Sequence, residues 1–207
     1  MNMSNLKEEE YRKFTHELKN SLTIVQGYLE ILEKEVSSKY LTIARKEINR
    51  SLEMIYNDSN DVLKIERIDL GVLLQDVRDT VYQYYLQNHC KLTLDVETKI
   101  YIKGDYQKLK QVLLNIVKNS FEAKATQIII KVTSIDNDYH IIIEDNGEGI
   151  DEDNIKRIGK ESFTTKSNGT GIGLAYCIDM IKKHNGTLQI ISVKNKGTKV
   201  IIKTKKS

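Results

Sequence analysis

QVLLNIVKNSFEA, residues 111–123, reads as the second half of an amphipathic helix that starts behind a capping Asp105 and ends near Ala123. Its apolar residues recur at helical spacing, yet Asn115 and Asn119 stand one turn apart among them. Asparagine is mildly unfavourable inside a helix, and burying its amide without partners costs roughly 1–3 kcal/mol. Two stacked asparagines need a reason. Either a neighbouring loop satisfies them, or they serve a magnesium ion carrying phosphates, since Mg²⁺ takes few protein oxygens and completes its shell with phosphate and water.

Downstream, isoleucine-rich runs at 127–132 and 140–144 suit buried strands. The second runs directly into EDNGEGI, residues 144–150. A carboxylate at a strand end followed by glycines gives a loop whose backbone can approach a ligand closely; a plain acidic turn is the alternative. An ionised Asp145 only accepts hydrogen bonds, so it would favour adenine, with its exocyclic amine, over guanine. A polar, glycine-studded stretch then holds FTTK, 163–166, and NGTGIGL, 168–174. These glycines open a helix over 172–183, whose first amides favour phosphate. Their G-x-G-x-G spacing is neither a dinucleotide fingerprint nor a P-loop. Asn185-Gly186 caps that helix, and strands at 187–193 and 198–203 flank a turn at 195–197.

Upstream of the central helix, a strand is expected at 68–70, a helix at 72–86 and short strands at 91–96 and 100–103. The layout is an α+β domain, a mixed sheet with helices on one face. Residues 5–66 differ, with one glycine and the pattern of two long helices. Leu18, Leu22, Val25, Leu29, Leu32 and Val36 form a seam in the first; Leu41, Ala44, Ile48, Leu52, Ile55, Val62 and Ile65 form one in the second. Ser37-Ser38 lies between them as turn and cap. Two helices bury their seams poorly, so a second copy completing a four-helix bundle is expected. His16 stands two residues from both Phe14 and Leu18, and each step of two turns about 200°. It therefore projects away from the seam. Glu17 is placed to hold one ring proton and leave the other nitrogen nucleophilic, and Asn20 lies one turn above.

Composition excludes several classes. A net charge of +3 is too small to argue for nucleic acid or an anionic membrane. No apolar run approaches the roughly 18 residues that span a bilayer, and the N-terminus lacks the apolar core of a secretory signal. A cytoplasmic protein with reduced Cys90 and Cys177, no membrane insertion and no nucleic-acid partner is expected.

Taken in order, these motifs resemble those of the bacterial two-component histidine kinases over nearly the whole chain. HELKNSLTIVQGYLEIL, 16–32, looks like the H-box; QVLLNIVKNSFEA the N-box; EDNGEGI the G1 box; ESFTTK the F-box; NGTGIGL the G2 box. The resemblance implies a dimerisation and phosphotransfer domain over 1–66, a helical hairpin whose homodimer is a four-helix bundle. A catalytic domain of the Bergerat ATP-binding fold, an α+β sandwich, would follow over 67–207. His16 would be the phosphoacceptor, Glu17 its acid/base and Asn20 a further catalytic residue in autophosphorylation and in phosphatase action. Asn119 would ligate Mg²⁺ and Asn115 support the phosphates. Asp145 would read adenine, with Gly147 and Gly149 lining base and ribose. Phe163 would anchor a lid over 151–168. Thr165, Lys166, Gly169, Thr170, Gly171, Gly173 and Leu174 would complete the ATP site. The implied partners are a response-regulator receiver domain and a second copy. Only 15 residues precede His16, so either the chain is a core cut from a longer protein or a sensor partner acts on the N-terminal helix. Ser21 stands where the family usually has proline, which should straighten the helix without touching the chemistry. Glu122 replaces a common basic residue, a form that resembles the nitrogen-regulatory and sporulation branch. A phosphorelay adaptor without ATP chemistry is the rival; the intact N, G1, F and G2 boxes argue against it.

Overall fold

Asp69 ends one element and begins the next. Its carboxylate accepts hydrogen bonds from the backbone of Gly71 and Val72, the geometry of an N-cap. Strand β1, Glu66–Asp69, therefore stops before Leu70, and helix α1, Leu70–Thr80, starts there. The sequence alone places Leu70 in the strand because it continues the apolar run; the cap overrides that pattern. Leu70, Leu73, Leu74 and Val77 form the buried stripe of α1. The computed structural model describes residues 62–82, 89–96, 99–158 and 172–206, with positions 18, 22, 23, 25 and 48. Residues 83–86 of the expected helix at 72–86 lie outside this set.

Strands β2, Lys91–Asp95, and β3, Tyr101–Gly104, follow. Asp105 then caps α2, Tyr106–Glu122, by accepting from Lys108 N at 3.1 Å. Leu109, Val112, Leu113, Ile116, Val117 and Phe121 are the buried face of α2. Strand β4 is Gln127–Ile135 and β5 is Asp138–Asp145. Both outrun the isoleucines that mark them in the sequence, because Ile135 pairs with Asp138 across a two-residue turn and the ladder needs only backbone. After a short helix α3, Glu152–Ile155, come α4, Ile172–Lys183, then β6, Thr187–Val193, and β7, Gly197–Lys205.

β1 and β3 form a two-stranded antiparallel sheet, and the main sheet runs β2-β4-β5-β7-β6. β2 lies parallel to β4, and the other pairs are antiparallel. Alternation along the strands sends Ile128, Ile130, Val132, Ile141, Ile143, Val200 and Ile202 to the inner face. There they share one core with the apolar stripes of α1, α2 and α4. Each such side chain contributes roughly 1.5–3 kcal/mol when fully buried. This is the mixed sheet covered by helices that the motif order implies.

His184 ties the far end of α4 to the start of α2. Its Nε2 accepts from Asp105 N at 2.9 Å and its Nδ1 donates to Met180 O at 2.8 Å, which sets the tautomer. Asn185 is left-handed, with φ of 57°, and Gly186 N returns to Ile181 O at 2.9 Å, so the expected C-cap is present.

Three carboxylates on this domain are held below their ordinary range. Asp76 is lowered by Lys110 and then by Tyr106, Asp138 by Lys205 and then Lys203, and Glu144 chiefly by Lys199. A depressed carboxylate stabilises the fold above its unfolded value and loses that contribution as pH falls through the folded one. The ordinary values are 3.8 for aspartate and 4.5 for glutamate. Melting temperature should therefore hold down to about pH 5 and fall below it. Asp138→Asn and Glu144→Gln should flatten the acid limb; an unchanged limb would show that these ion pairs are too exposed to matter.

The chain divides into two compact units, the larger being Leu63–Thr165 with Gly171–Ser207. In the expected hairpin, Leu18, Leu22, Thr23, Val25 and Ile48 are described, and all are helical. Val62 and Ile65, expected in the second seam, are described but lie in irregular chain just ahead of β1, 81% and 54% exposed, because Glu66 already pairs in the β1–β3 ladder; the helical reading therefore does not reach 66. The turn and the remaining seam residues lie outside the described residues.

Candidate functional site

Asp145 closes β5, and its carboxylate is anchored from three sides. Oδ1 accepts from Gly147 N at 2.9 Å and Thr198 N at 3.2 Å, while Oδ2 accepts from Ser120 Oγ at 2.7 Å. Donors from α2, the loop after β5 and the start of β7 thus converge on one side chain. An acceptor held this firmly can read a hydrogen on a ligand without reorganising.

The loop after β5 is stapled on both sides. Asn146 Oδ1 accepts from Thr126 N and Gln127 N, both at 2.9 Å, and its Nδ2 donates to Thr126 Oγ1 at 2.9 Å. Glu148 N donates to Ala123 O at 2.8 Å, and Asn195 N donates to Glu148 O at 2.6 Å. Ile150 N donates to Ser192 Oγ at 2.8 Å, and that hydroxyl donates in turn to Gly197 O. The β6–β7 hairpin is therefore the back wall of the loop.

Glycines make this closeness possible. A Cβ on buried Gly147 would meet Ala123 O at 2.6 Å. Gly149, with φ of 66°, would overlap the Val193 carbonyl. Backbone is what the loop packs on and what it can present, as a close approach to a ligand requires.

On α2, Asn115 and Asn119 differ. Asn115 Oδ1 accepts from Gln111 Nε2 at 3.0 Å, and its side chain hydrogen-bonds the Cys177 sulfur of α4. The Cys177 thiol is pushed up to about 12, first by burial, so it is an inert packing group. Asn119, one turn on and beside Ser120, has no side-chain hydrogen-bond partner among the described residues. Gly173, in the first turn of α4, faces open space except for Asn115 Nδ2 at 4.0 Å. Leu174 packs half-buried against the core. The structure thus gathers Asp145, Gly147, Gly149, Asn115, Asn119, Gly173 and Leu174 around the end of β5 and the facing side of α2. His16, Glu17, Asn20, Phe163, Thr165, Lys166, Gly169, Thr170 and Gly171 lie outside the described residues.

The residues present suit a nucleotide carried by a divalent cation. The glycine cradle would be filled by any Cβ, Asp145 offers a fixed acceptor, and the half-buried Asn119 amide is not engaged by a side chain among the described residues. Among the described residues no cluster of three His, Cys, Asp or Glu side chains could hold a metal alone. A cation here would take one or two protein oxygens, phosphate and water, the habit of Mg²⁺. Sequence reasoning alone does not single out Ser120, Ser192, Gly197 or Thr198. Ser120 sits inside the asparagine motif and Gly197 in a turn, so both carried a signal, but their contacts are tertiary.

Comparison with known proteins agrees with this geometry. The model of the histidine kinase-, DNA gyrase B- and HSP90-like ATPase family matches residues 104–207. That of the His Kinase A phospho-acceptor domain matches residues 7–71. Sporulation kinase B of Bacillus subtilis (strain 168) is 31% identical over 203 residues, covering 91% of this chain and 47% of that protein. The signal transduction histidine-protein kinase AtoS of Escherichia coli (strain K12) is 31% identical over 194 residues, 88% of this chain and 32% of that one. The chain thus spans about half or less of the length of these relatives. The nucleotide-free catalytic domain of histidine kinase ThkA superposes with a TM-score of 0.62 at 25% identity, covering 69% of this chain and 96% of that domain. ThkA in complex with the response regulator protein TrrA gives 0.67 at 22% identity over 96% of this chain and 61% of that one, a likeness of fold. No helix among the described residues is long and apolar enough to cross a membrane. The chain belongs to the histidine kinase-, DNA gyrase B- and HSP90-like ATPase family, in the form of a two-component histidine kinase core with a phospho-acceptor segment ahead of the ATPase domain.

Proposed function

We propose that this protein is an ATP-dependent histidine kinase that phosphorylates its own His16 and passes the phosphoryl group to an aspartate of a response-regulator receiver domain. The observation that carries the reading is the Asp145 carboxylate, held by Ser120, Gly147 and Thr198 at the mouth of a glycine-lined loop. It supports adenine recognition, while the phospho-acceptor match over residues 7–71 supports His16 as acceptor. In this reading residues 1–66 form the dimerisation and phosphotransfer domain and 67–207 the ATP-binding domain.

Asp145 orients the base, and the backbone at Gly147 and Gly149 lies along base and ribose. Asn119 would hold Mg²⁺ with Asn115 behind it, and the ion would supply positive charge against the phosphates. Lys166 adds a positive charge, and the amides of Gly169, Gly171 and Gly173 line the phosphates. Phe163, Thr165, Thr170 and Leu174 seat the lid and the loop. His16 Nε2 attacks the γ-phosphorus in line; the new N–P bond forms as the bond to the β-phosphate oxygen breaks, and ADP leaves. Glu17 accepts the Nδ1 hydrogen bond and holds the ring aligned. Positioning and charge stabilisation carry most of such a reaction. Asn20 orients a water for the separate hydrolysis of the regulator's phosphoaspartate, in which the new O–P bond forms as the bond to the aspartate oxygen breaks and inorganic phosphate leaves, a phosphatase activity added to the kinase in this reading.

Leu18 and Val25, seam residues of the first helix, are 38% and 44% exposed in the single chain. A homodimer would cover them, and a sensor partner would act on the same N-terminal helix. The setting is the cytoplasm, where ATP and receiver domains meet.

Incubation with γ-labelled ATP and Mg²⁺ tests the reading. Label that survives alkali and is lost in acid identifies a phosphohistidine. Absence of label from a chain that binds ATP would instead favour a phosphorelay adaptor.

A further inference from the structure

A carboxylate offers about four lone-pair positions, and the fold fills those of Asp145 unevenly. Oδ1 accepts from Gly147 N and Thr198 N, which uses both of its positions. Among the described residues Oδ2 accepts only from Ser120 Oγ, at 2.7 Å. One position on Oδ2 remains for a ligand. Ser120 is 3% exposed, and its hydroxyl carries a single hydrogen. The Ile116 carbonyl is 3.5 Å from the same oxygen, too far to compete with an ionised acceptor at 2.7 Å. That hydrogen is committed to Asp145, and Ser120 has none to offer a base.

We propose that Ser120 is a positioning residue that sets base selectivity: by holding Asp145 with one open acceptor and no free donor beside it, it admits a 6-amino purine and rejects a 6-oxo purine. This inference rests on the nucleotide reading above. A 6-amino group brings a hydrogen to the open lone pair. A 6-oxo group brings its own lone pairs against two oxygens that cannot donate, and an unpaired buried acceptor is costly. Three anchors from separate elements keep Asp145 from turning away. Removing the hydroxyl opens a polar hole beside Oδ2 of the size a water fills. A water has two hydrogens: one replaces the bond to Asp145, and the other can serve a 6-oxo group. Selectivity should therefore fall more than affinity.

The test measures affinities of the 207-residue chain for ATP and for inosine triphosphate, each with Mg²⁺, by calorimetry. The parent, Ser120→Ala and Ser120→Thr are compared, with thermal melting of each. The parent should favour ATP. Ser120→Ala should lower the ATP-to-inosine ratio by about tenfold, and Ser120→Thr, which keeps the hydroxyl, should restore it. Should the added methyl destabilise Ser120→Thr, the Ser120→Ala ratio decides alone. A ratio unchanged in Ser120→Ala, or two affinities falling in parallel, would reduce Ser120 to a structural role and overturn the proposal. A parent that binds neither nucleotide overturns the nucleotide reading itself, a result distinct from a parent that binds ATP with a ratio Ser120 does not control.

Discussion

With His16 replaced by glutamine, transfer of label from γ-labelled ATP falls to background, while affinity for ATP stays within about twofold of the parent. Glutamine keeps good helix propensity and a polar side chain of similar reach, so the helix expected around position 16 should persist. What it lacks is a ring nitrogen with a free lone pair. An amide nitrogen is not a nucleophile, and no other group on that turn replaces it: Glu17 accepts protons, and the Asn20 amide shares the same deficiency. In the proposed site the base is read by Asp145 and the glycine loop and the phosphates are met by α2, none of which the substitution touches. Loss of label with retained binding therefore separates acceptor from donor. Label persisting in the variant would mean that another side chain receives the phosphoryl group.

Gly197→Ala should lower the melting temperature by roughly 5–15 °C and weaken ATP binding at the same time. Gly197 has φ of 97°, where side chains with a Cβ are strained. The added Cβ would also overlap the Asp145 carbonyl, and the next contact, Asn146 Cα, lies at 3.0 Å. These are backbone atoms, so relief requires β7 to move off β5. The pair Asp145↔Thr198 is the one that breaks first, and with it goes the Thr198 N donor to Asp145 Oδ1. Strain and lost pairing together cost about 2–4 kcal/mol. Calorimetric melting with and without ATP measures both effects. A variant with parental melting and parental affinity would show that the hairpin yields freely and does not support the site.

How much of this was legible in the chain depends on whether the signal is local. The helix behind Asp105, α4 with its Asn185-Gly186 cap and strand β6 follow from residues within a turn or two of each other, and they stand where periodicity and capping put them. The motifs at 111–123 and 144–150 pointed to a nucleotide site only when taken together and in order; singly, two amides on an apolar helix and a carboxylate before glycines also fit protein partners and a plain turn, and Asn115 does bond Gln111 and Cys177. The ends of β1, β4 and β5 were misjudged where apolar patterning stops but backbone pairing, or a cap, continues.

By itself the sequence determined the family and the order of elements from β1 onward, and it nominated Asp145 as the carboxylate of the proposed site, because periodicity, capping and motif spacing are written in near neighbours. Only the tertiary structure decided what holds that carboxylate. Gly147 is a near neighbour, but Ser120 and Thr198 stand 25 and 53 residues from Asp145, and the parallel pairing of β2 with β4 and the closure of the β6–β7 hairpin behind the loop are likewise contacts between distant segments. Such contacts depend on which faces the core buries together, and no local pattern encodes that choice.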